Sequence, residues 1–249
     1  MSAPRKSASL YEIFSSIQGE ALRVGERHLF VRLAGCDLSC AYCDTPASRR
    51  VPDHCTVHLP SGRVDEKNPL EAETLDALVK RVDEESGPHH AISITGGEPL
   101  MFVEFLLPLL REWRAAGFTI LLETGGHRPD DLARAIDDVD SVMADIKLRS
   151  SSHETVSNEV AGRFLAIASA KELAVKVVVN AESSAAEAAN AARLVRDHAP
   201  AATLYLQPAS GARNLPPDGD HLLALQRAAM AEHRAVRVVP QTHRQLHVR

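Results

Sequence analysis

The sequence predicts an α/β fold, a partial, open (β/α)6 barrel of the TIM-like kind with an insertion after its first strand and loop. Three observations carry this. Short apolar runs without polar alternation take turns with stretches of helical spacing, which implies parallel strands covered on both faces and joined by right-handed crossovers. About six such units precede a final strand, whereas eight would close a full barrel. The runs also turn polar at their carboxyl ends, at residues 32–36, 95–98, 123–125, 145–147, 180 and 207. Folds of this kind line their sites with those ends. One strand exit can turn polar simply on reaching water, so it is the regularity that points to a single convergent site.

The elements follow in order. Tyr11 to Glu20 alternates and then turns polar, which reads as a short strand or extended arm followed by a loop at Gln18-Gly19-Glu20. Taken alone, that tripeptide is a surface turn. Residues 29–34 form an apolar strand carrying Arg32, either an exposed-face residue or an aimed anion binder whose fixed fork suits carboxylates and planar heterocycles. The low-periodicity stretch 47–69 is long for a connection. It reads as a small hairpin (56–59, then a Pro60-Ser61-Gly62 turn) or as a mobile cover. Leu75, Leu78, Val79 and Val82 give a helix over 74–85. Strands are expected at 91–94, 119–123, 141–147, 173–179, 203–206 and 236–239. Helices are expected at 100–116, 129–136, 159–172, 183–198 and 221–233. The whole chain, 1–249, is expected to be one domain: arm, first strand and cysteine loop over 11–46, insertion over 47–70, remaining units over 71–249.

Composition excludes several classes of protein. Apolar residues make up 45% of 249 residues, enough for a full core. The net charge of −5, from 28 basic and 33 acidic residues, argues against gripping nucleic-acid phosphates. Four cysteines, three of them clustered, are no disulfide framework and suit a reduced cytoplasm. Residues 1–9 contain no apolar signal region, and no apolar run approaches a membrane span.

The chemistry concentrates in Cys36-Asp37-Leu38-Ser39-Cys40-Ala41-Tyr42-Cys43-Asp44-Thr45. A loop leaving a strand can fold three soft thiolates toward one point, which suits an iron–sulfur cluster or zinc. Closed sites of either kind want four protein ligands, so three leave a metal position open. The alternatives are three buried small hydrophobes, or a zinc site completed by Cys55 or His54. Cys55 lies in a polar, proline-bearing stretch and reads as an incidental thiol in a loop. Thr95-Gly96-Gly97-Glu98-Pro99 follows a short buried strand. Its glycines let backbone approach a ligand closely, although by itself the pattern is only a turn.

The CxxxCxxC spacing, with an aromatic before the third cysteine, resembles the radical S-adenosylmethionine (SAM) superfamily. Gln18-Gly19-Glu20, Arg32, Cys43-Asp44-Thr45, Thr95-Gly96-Gly97-Glu98-Pro99, Glu123-Thr124-Gly125, Asp145-Ile146-Lys147, Gln207-Pro208 and Pro240-Gln241-Thr242-His243 appear in order. Together they resemble the 7-carboxy-7-deazaguanine synthase family, ring-contracting enzymes of 7-deazapurine and queuosine biosynthesis. The resemblance implies a radical lyase reaction on 6-carboxy-5,6,7,8-tetrahydropterin. It implies a [4Fe–4S] cluster on Cys36, Cys40 and Cys43, and Mg2+ on Thr45, whose plain reading is a turn cap. SAM would meet Tyr42, Asp44, Gly97, Glu98, Lys147, Ser150 and Gln207. The pterin would meet Ile17, Gln18, Gly19, Glu20, Arg32, Thr95, Gln241 and His243. An electron donor such as flavodoxin or ferredoxin and a homodimer are implied too. Two departures stand out: the 47–69 insertion, and residues 244–249 beyond the Gln-Thr-His stretch, near which many family members end. Two rival readings are a radical SAM activase that makes a glycyl radical on a partner protein, and a zinc-binding interaction module.

Overall fold

A computed structural model describes residues 7–210 and 215–249, so the first six residues of the segment read for a signal lie outside it. Its strands are β1 (Ser7–Ala8), β2 (Leu10–Ile17), β3 (Arg27–Leu33), β4 (His54–Leu59), β5 (Gly62–Lys67), β6 (Leu70–Glu71), β7 (Ala91–Gly96), β8 (Ile120–Thr124), β9 (Ser141–Asp145), β10 (Glu172–Val179), β11 (Thr203–Pro208) and β12 (Val236–Val238). Its helices are α1 (Ala72–Ser86), α2 (Val103–Ala115), α3 (Pro129–Ala135), α4 (Arg149–Ser152), α5 (Asn158–Ala168), α6 (Ala185–His198), α7 (Gly219–Glu232) and α8 (Thr242–Gln245).

Ten strands form one sheet in the order β12-β11-β10-β9-β8-β7-β3-β2-β4-β5. From β3 to β12 every pairing is parallel, with a helix in each crossover, as the alternation of periods requires. β12 and β5 are the two free edges, so the barrel is open. Leu75, Leu78, Val79 and Val82 of α1 are buried as their spacing demands. The turn ahead of α6 is fixed by a capping box between Ser184 and Glu187. Among the described residues no helix is long and apolar enough to cross a membrane.

The structure decides one open reading and corrects two. The insertion is a hairpin, not a cover: β4 and β5 pair antiparallel, and β4 adds to β2 through Glu12–Thr56 and Ile13–Val57. Cys55 is therefore no loop thiol; it is wholly buried in β4. The expected helix 159–172 stops at Ala168, because residues 169–171 turn and Glu172 already pairs with Ser141 as the first residue of β10.

Candidate active site

The carboxyl ends of the parallel strands open onto one half-open cleft, with about 1230 Å3 of atom-free space when the solvent at its mouth is included. Cys36, Cys40 and Cys43 line it. Their loop is pinned from several sides. The Ala41 N–H donates to Ser152 O (2.8 Å), Ser39 N–H to Glu154, and Arg49 to the Cys40 carbonyl. Asp37 receives His127 Nε2 at 2.9 Å and Arg128 Nη1 at 2.7 Å. The glycines after β7 press against the same loop. Gly96 has φ +136°, and a Cβ on Gly97 would strike the Gly35 carbonyl. Burial pushes the Cys36 thiol up to about 11 and raises Cys40. Both thiols are thus poor anions until a cation neutralises them. Cys55, the fourth thiol, is sealed in β4 and does not line the cavity.

Glu98 is almost fully buried beside the cysteines and accepts hydrogen bonds from Leu100 N, Thr124 Oγ1 and Gly125 N, at 3.0, 2.8 and 2.8 Å. Desolvation raises its pKa in spite of these donors and nearby His127. Across the cavity Lys147 Nζ bonds Asp145 Oδ2 at 2.6 Å and Tyr42 OH at 3.1 Å. Burial works against the Lys147 charge, but Asp145 outweighs it and holds the ammonium protonated.

The opposite wall is a polar lattice on the loop after β2. Gln18 Nε2 donates to Glu123 Oε1 (2.7 Å), and Thr95 Oγ1 to Glu123 Oε2 (3.1 Å). Glu20 accepts from Lys176 Nζ (2.5 Å), Gln241 Nε2 (2.6 Å) and Gln207 Nε2 (3.2 Å). Burial would raise the Glu20 pKa, yet Lys176 turns the shift downward. Glu123 goes the other way, raised by burial and by Glu20. Two carboxylates on one wall are thus shifted in opposite directions, Glu20 downward by its lysine and Glu123 upward by burial. Asp44 opens onto the cavity and is held low by Arg32 and Lys176 against burial. Glu20, Asp44 and His243 each offer a ligand atom within 4.8 Å of the others, the one place among the described residues where such donors converge.

Of the residues singled out from sequence, Ile17, Gln18, Gly19, Glu20, Arg32, Cys36, Cys40, Tyr42, Cys43, Asp44, Thr95, Gly97, Glu98, Lys147, Gln207, Gln241 and His243 line this cavity. Two do not. The Thr45 hydroxyl turns to Asp44 Oδ1 at 3.3 Å, and Ser150 is spent on Glu187 and Ser183. Lys176 and Arg49 were missed. For Lys176 a signal existed: a lysine in the valine-rich run of a strand covered on both faces is expensive unless paired.

An open parallel barrel with three thiols at its mouth, and glycines packed under their loop, defines the radical SAM class. The family model of the Radical SAM superfamily matches residues 31–203. Curated relatives named 7-carboxy-7-deazaguanine synthase come from Geobacter sulfurreducens, 37% identical over 98% of this chain and 98% of the relative, and from Methanopyrus kandleri, 36% identical over 97% and 94%. Among solved structures, QueE from Escherichia coli shares the fold at a TM-score of 0.60 with 20% identity, each chain covered to 95%. The chain belongs to the 7-carboxy-7-deazaguanine synthase family.

Proposed function

We propose that this chain converts 6-carboxy-5,6,7,8-tetrahydropterin into 7-carboxy-7-deazaguanine and ammonia, as a radical SAM carbon–nitrogen lyase of 7-deazapurine (queuosine) biosynthesis. The observation that carries this is the pairing, in one cavity, of three thiols without a fourth and a wall of carboxylates and amides. The thiols fit three irons of a [4Fe–4S] cluster, because Cys55 is sealed elsewhere and leaves one iron for SAM. When bound, the reduced cluster and SAM supply a hydrogen-abstracting radical; the chain supplies orientation and exclusion of quenchers.

In this reading Gly97 and Glu98 would meet the amino end of SAM, and Tyr42, Lys147 and Gln207 its nucleoside. Gln18, Glu20, Arg32, Thr95 and Glu123 offer the alternating donors and acceptors that a pterin edge needs. Glu20 and Glu123 would serve as carboxylate acceptors for ring N–H groups. Mg2+ belongs to the same reading. Asp44, beside Thr45 and facing Glu20 and His243, supplies hard oxygen donors, and a small cation would complete its shell with waters and the substrate carboxylate. The reading also includes an external one-electron donor of flavodoxin or ferredoxin type, a homodimer, and the reducing cytoplasm that cluster thiolates require.

The test is anaerobic turnover of reconstituted protein with reductant, SAM, Mg2+ and the carboxypterin. The expected result is one ammonia per contracted heterocycle. Deoxyadenosine without heterocycle, or a colourless zinc protein, would overturn the proposal.

A further inference from the structure

The segment carrying Gln18 and Glu20 is the tip of the β2–β3 hairpin, and it does not stay over its own strands. It reaches across to β10, which in the sheet lies beyond β7, β8 and β9. Two contacts hold it there. Near the mouth, Glu20 Oε2 meets Lys176 Nζ at 2.5 Å. At the foot of the same strand, Arg23 Nη2 meets Glu172 Oε2 at 2.5 Å. Lys176 and Glu172 are four residues apart, so the two anchor points are about 13 Å apart along the strand.

Arg23 is also tied into the hairpin itself. Its Nη1 bonds Glu26 Oε2 at 3.2 Å, and Glu26 in turn receives His28 Nε2 at 3.0 Å. His28 is fully buried and bonds Ser93 Oγ at 2.7 Å inside the barrel. The hairpin tip closes on its own backbone, Gln18 N–H to Glu26 O at 2.8 Å and Gly25 N–H to Gln18 O at 2.9 Å. Arg23 thus joins the interior of β3 to β10 through one side chain, four-fifths buried, whose Nε makes no hydrogen bond of its own. Burying that nitrogen unpaired costs stability. The terminal nitrogens must compensate through their two carboxylates.

The Gln18–Glu20 end is also bonded by Glu123, Gln207, Gln241 and Thr242, but Arg23 is what ties the far side of the tip to the foot of β10, and a segment secured only at its mouth end can still tilt about it. We propose that Arg23, outside the cavity, is a positioning residue: anchored on Glu172, it sets the height and tilt of the Gln18–Glu20 segment and so the affinity for the substrate that segment reads. The substrate half of this statement rests on the function proposed above; the anchoring half does not.

The experiment uses reconstituted holoenzyme with Arg23→Ala, Arg23→Lys and Glu172→Gln. Glu172 is half exposed and its variant folds without difficulty on burial grounds. The expected result for Arg23→Ala and Glu172→Gln is a rise of about two- to fivefold in KM for the carboxypterin, as partly exposed charge pairs allow, with kcat, KM for SAM and cluster absorbance unchanged. Arg23→Lys restores part of the loss. Hydrogen exchange is the second arm and needs no turnover: the Gln18 and Gly25 amides should exchange faster in both variants, and the Ala41 amide should not. Unchanged exchange at Gln18 and Gly25 would overturn the proposal, as would KM values for SAM and pterin rising together. If the parent enzyme turned over no carboxypterin, the assigned reaction would fail while the exchange arm still decided the anchor.

Discussion

Lys176→Met is the most informative single substitution in the site. Lys176 faces Glu20 Oε2 at 2.5 Å and Asp145 Oδ1 at 3.4 Å, with 15% of its side chain exposed. At an effective dielectric of about 20, attractions at those distances are about 6–7 and about 5 kcal/mol. Desolvation of the ammonium offsets much of this, and removing one partner of a buried pair costs about 3–5 kcal/mol net. Methionine keeps the volume, so the loss is electrostatic. The sign with pH follows from the groups left behind. In the parent, Glu20 has a depressed pKa, so its stabilising contribution is present above the unfolded carboxylate value and is lost as pH falls through the folded one. Without Lys176, burial and the neighbouring Asp44 push Glu20 upward, and it regains neutrality by taking a proton. The deficit of the variant is therefore largest at pH 8 and shrinks toward pH 5. Urea unfolding of the apo-protein at both values, followed by circular dichroism, measures it. A deficit below about 1 kcal/mol at pH 8, or one equal at both values, would refute the reasoning.

Three further outcomes follow from particular contacts. Cys55→Ser should leave iron content unchanged yet lower stability by about 1–3 kcal/mol, since a hydroxyl replaces a fully buried thiol; iron loss would contradict the cavity assignment. Gly19→Ala would drive a methyl into the His243 ring and backbone, so KM for the pterin should rise and Tm fall, at a cost of about 1–3 kcal/mol; an unchanged KM would deny the close approach. His28 is held below its ordinary value of 6.5 by burial, against Glu26. Its contribution is present above 6.5 and lost as pH falls through the lower folded value, so His28→Gln should flatten acid unfolding there, measured as Tm against pH.

Most of the barrel was legible because period-3.6 and unbroken apolar runs alternate along the chain, and burial on both faces leaves parallel strands no other pattern. The cysteine loop was legible because ligand spacing is local. What failed depended on pairing at a distance. Cys55 looks like a loop thiol until β4 is laid on β2, a partnership decided by hairpin register and not by local composition. Lys176 became a site residue because it registers with Asp145 on one side and Tyr205 on the other, which aims it inward. Thr45 and Ser150 fell outside the lining because other side chains engage them. The Thr45 hydroxyl takes its neighbour Asp44, and the Ser150 hydroxyl takes Ser183 from the turn after β10, a pairing that sequence order does not reveal.

An open barrel leaves a seam between its last strand and its first. Among the described residues no backbone ladder closes it, since β12 pairs there only with β11. The closure is made largely by residues that line the cavity. Thr242 N–H donates to Gly19 O at 2.9 Å, Gln241 bridges Glu20 and Asp44 at 2.6 and 3.0 Å, and Ser16 Oγ donates to Arg249 O at 2.8 Å. These hydrogen bonds are few and partly solvated, so this edge belongs to the less stable part of the molecule. A ligand spanning Glu20 and His243 would add contacts to both sides of the seam at once. Binding and closure are then one equilibrium, and substrate must protect the amides of residues 241–246 from exchange to the degree that it binds.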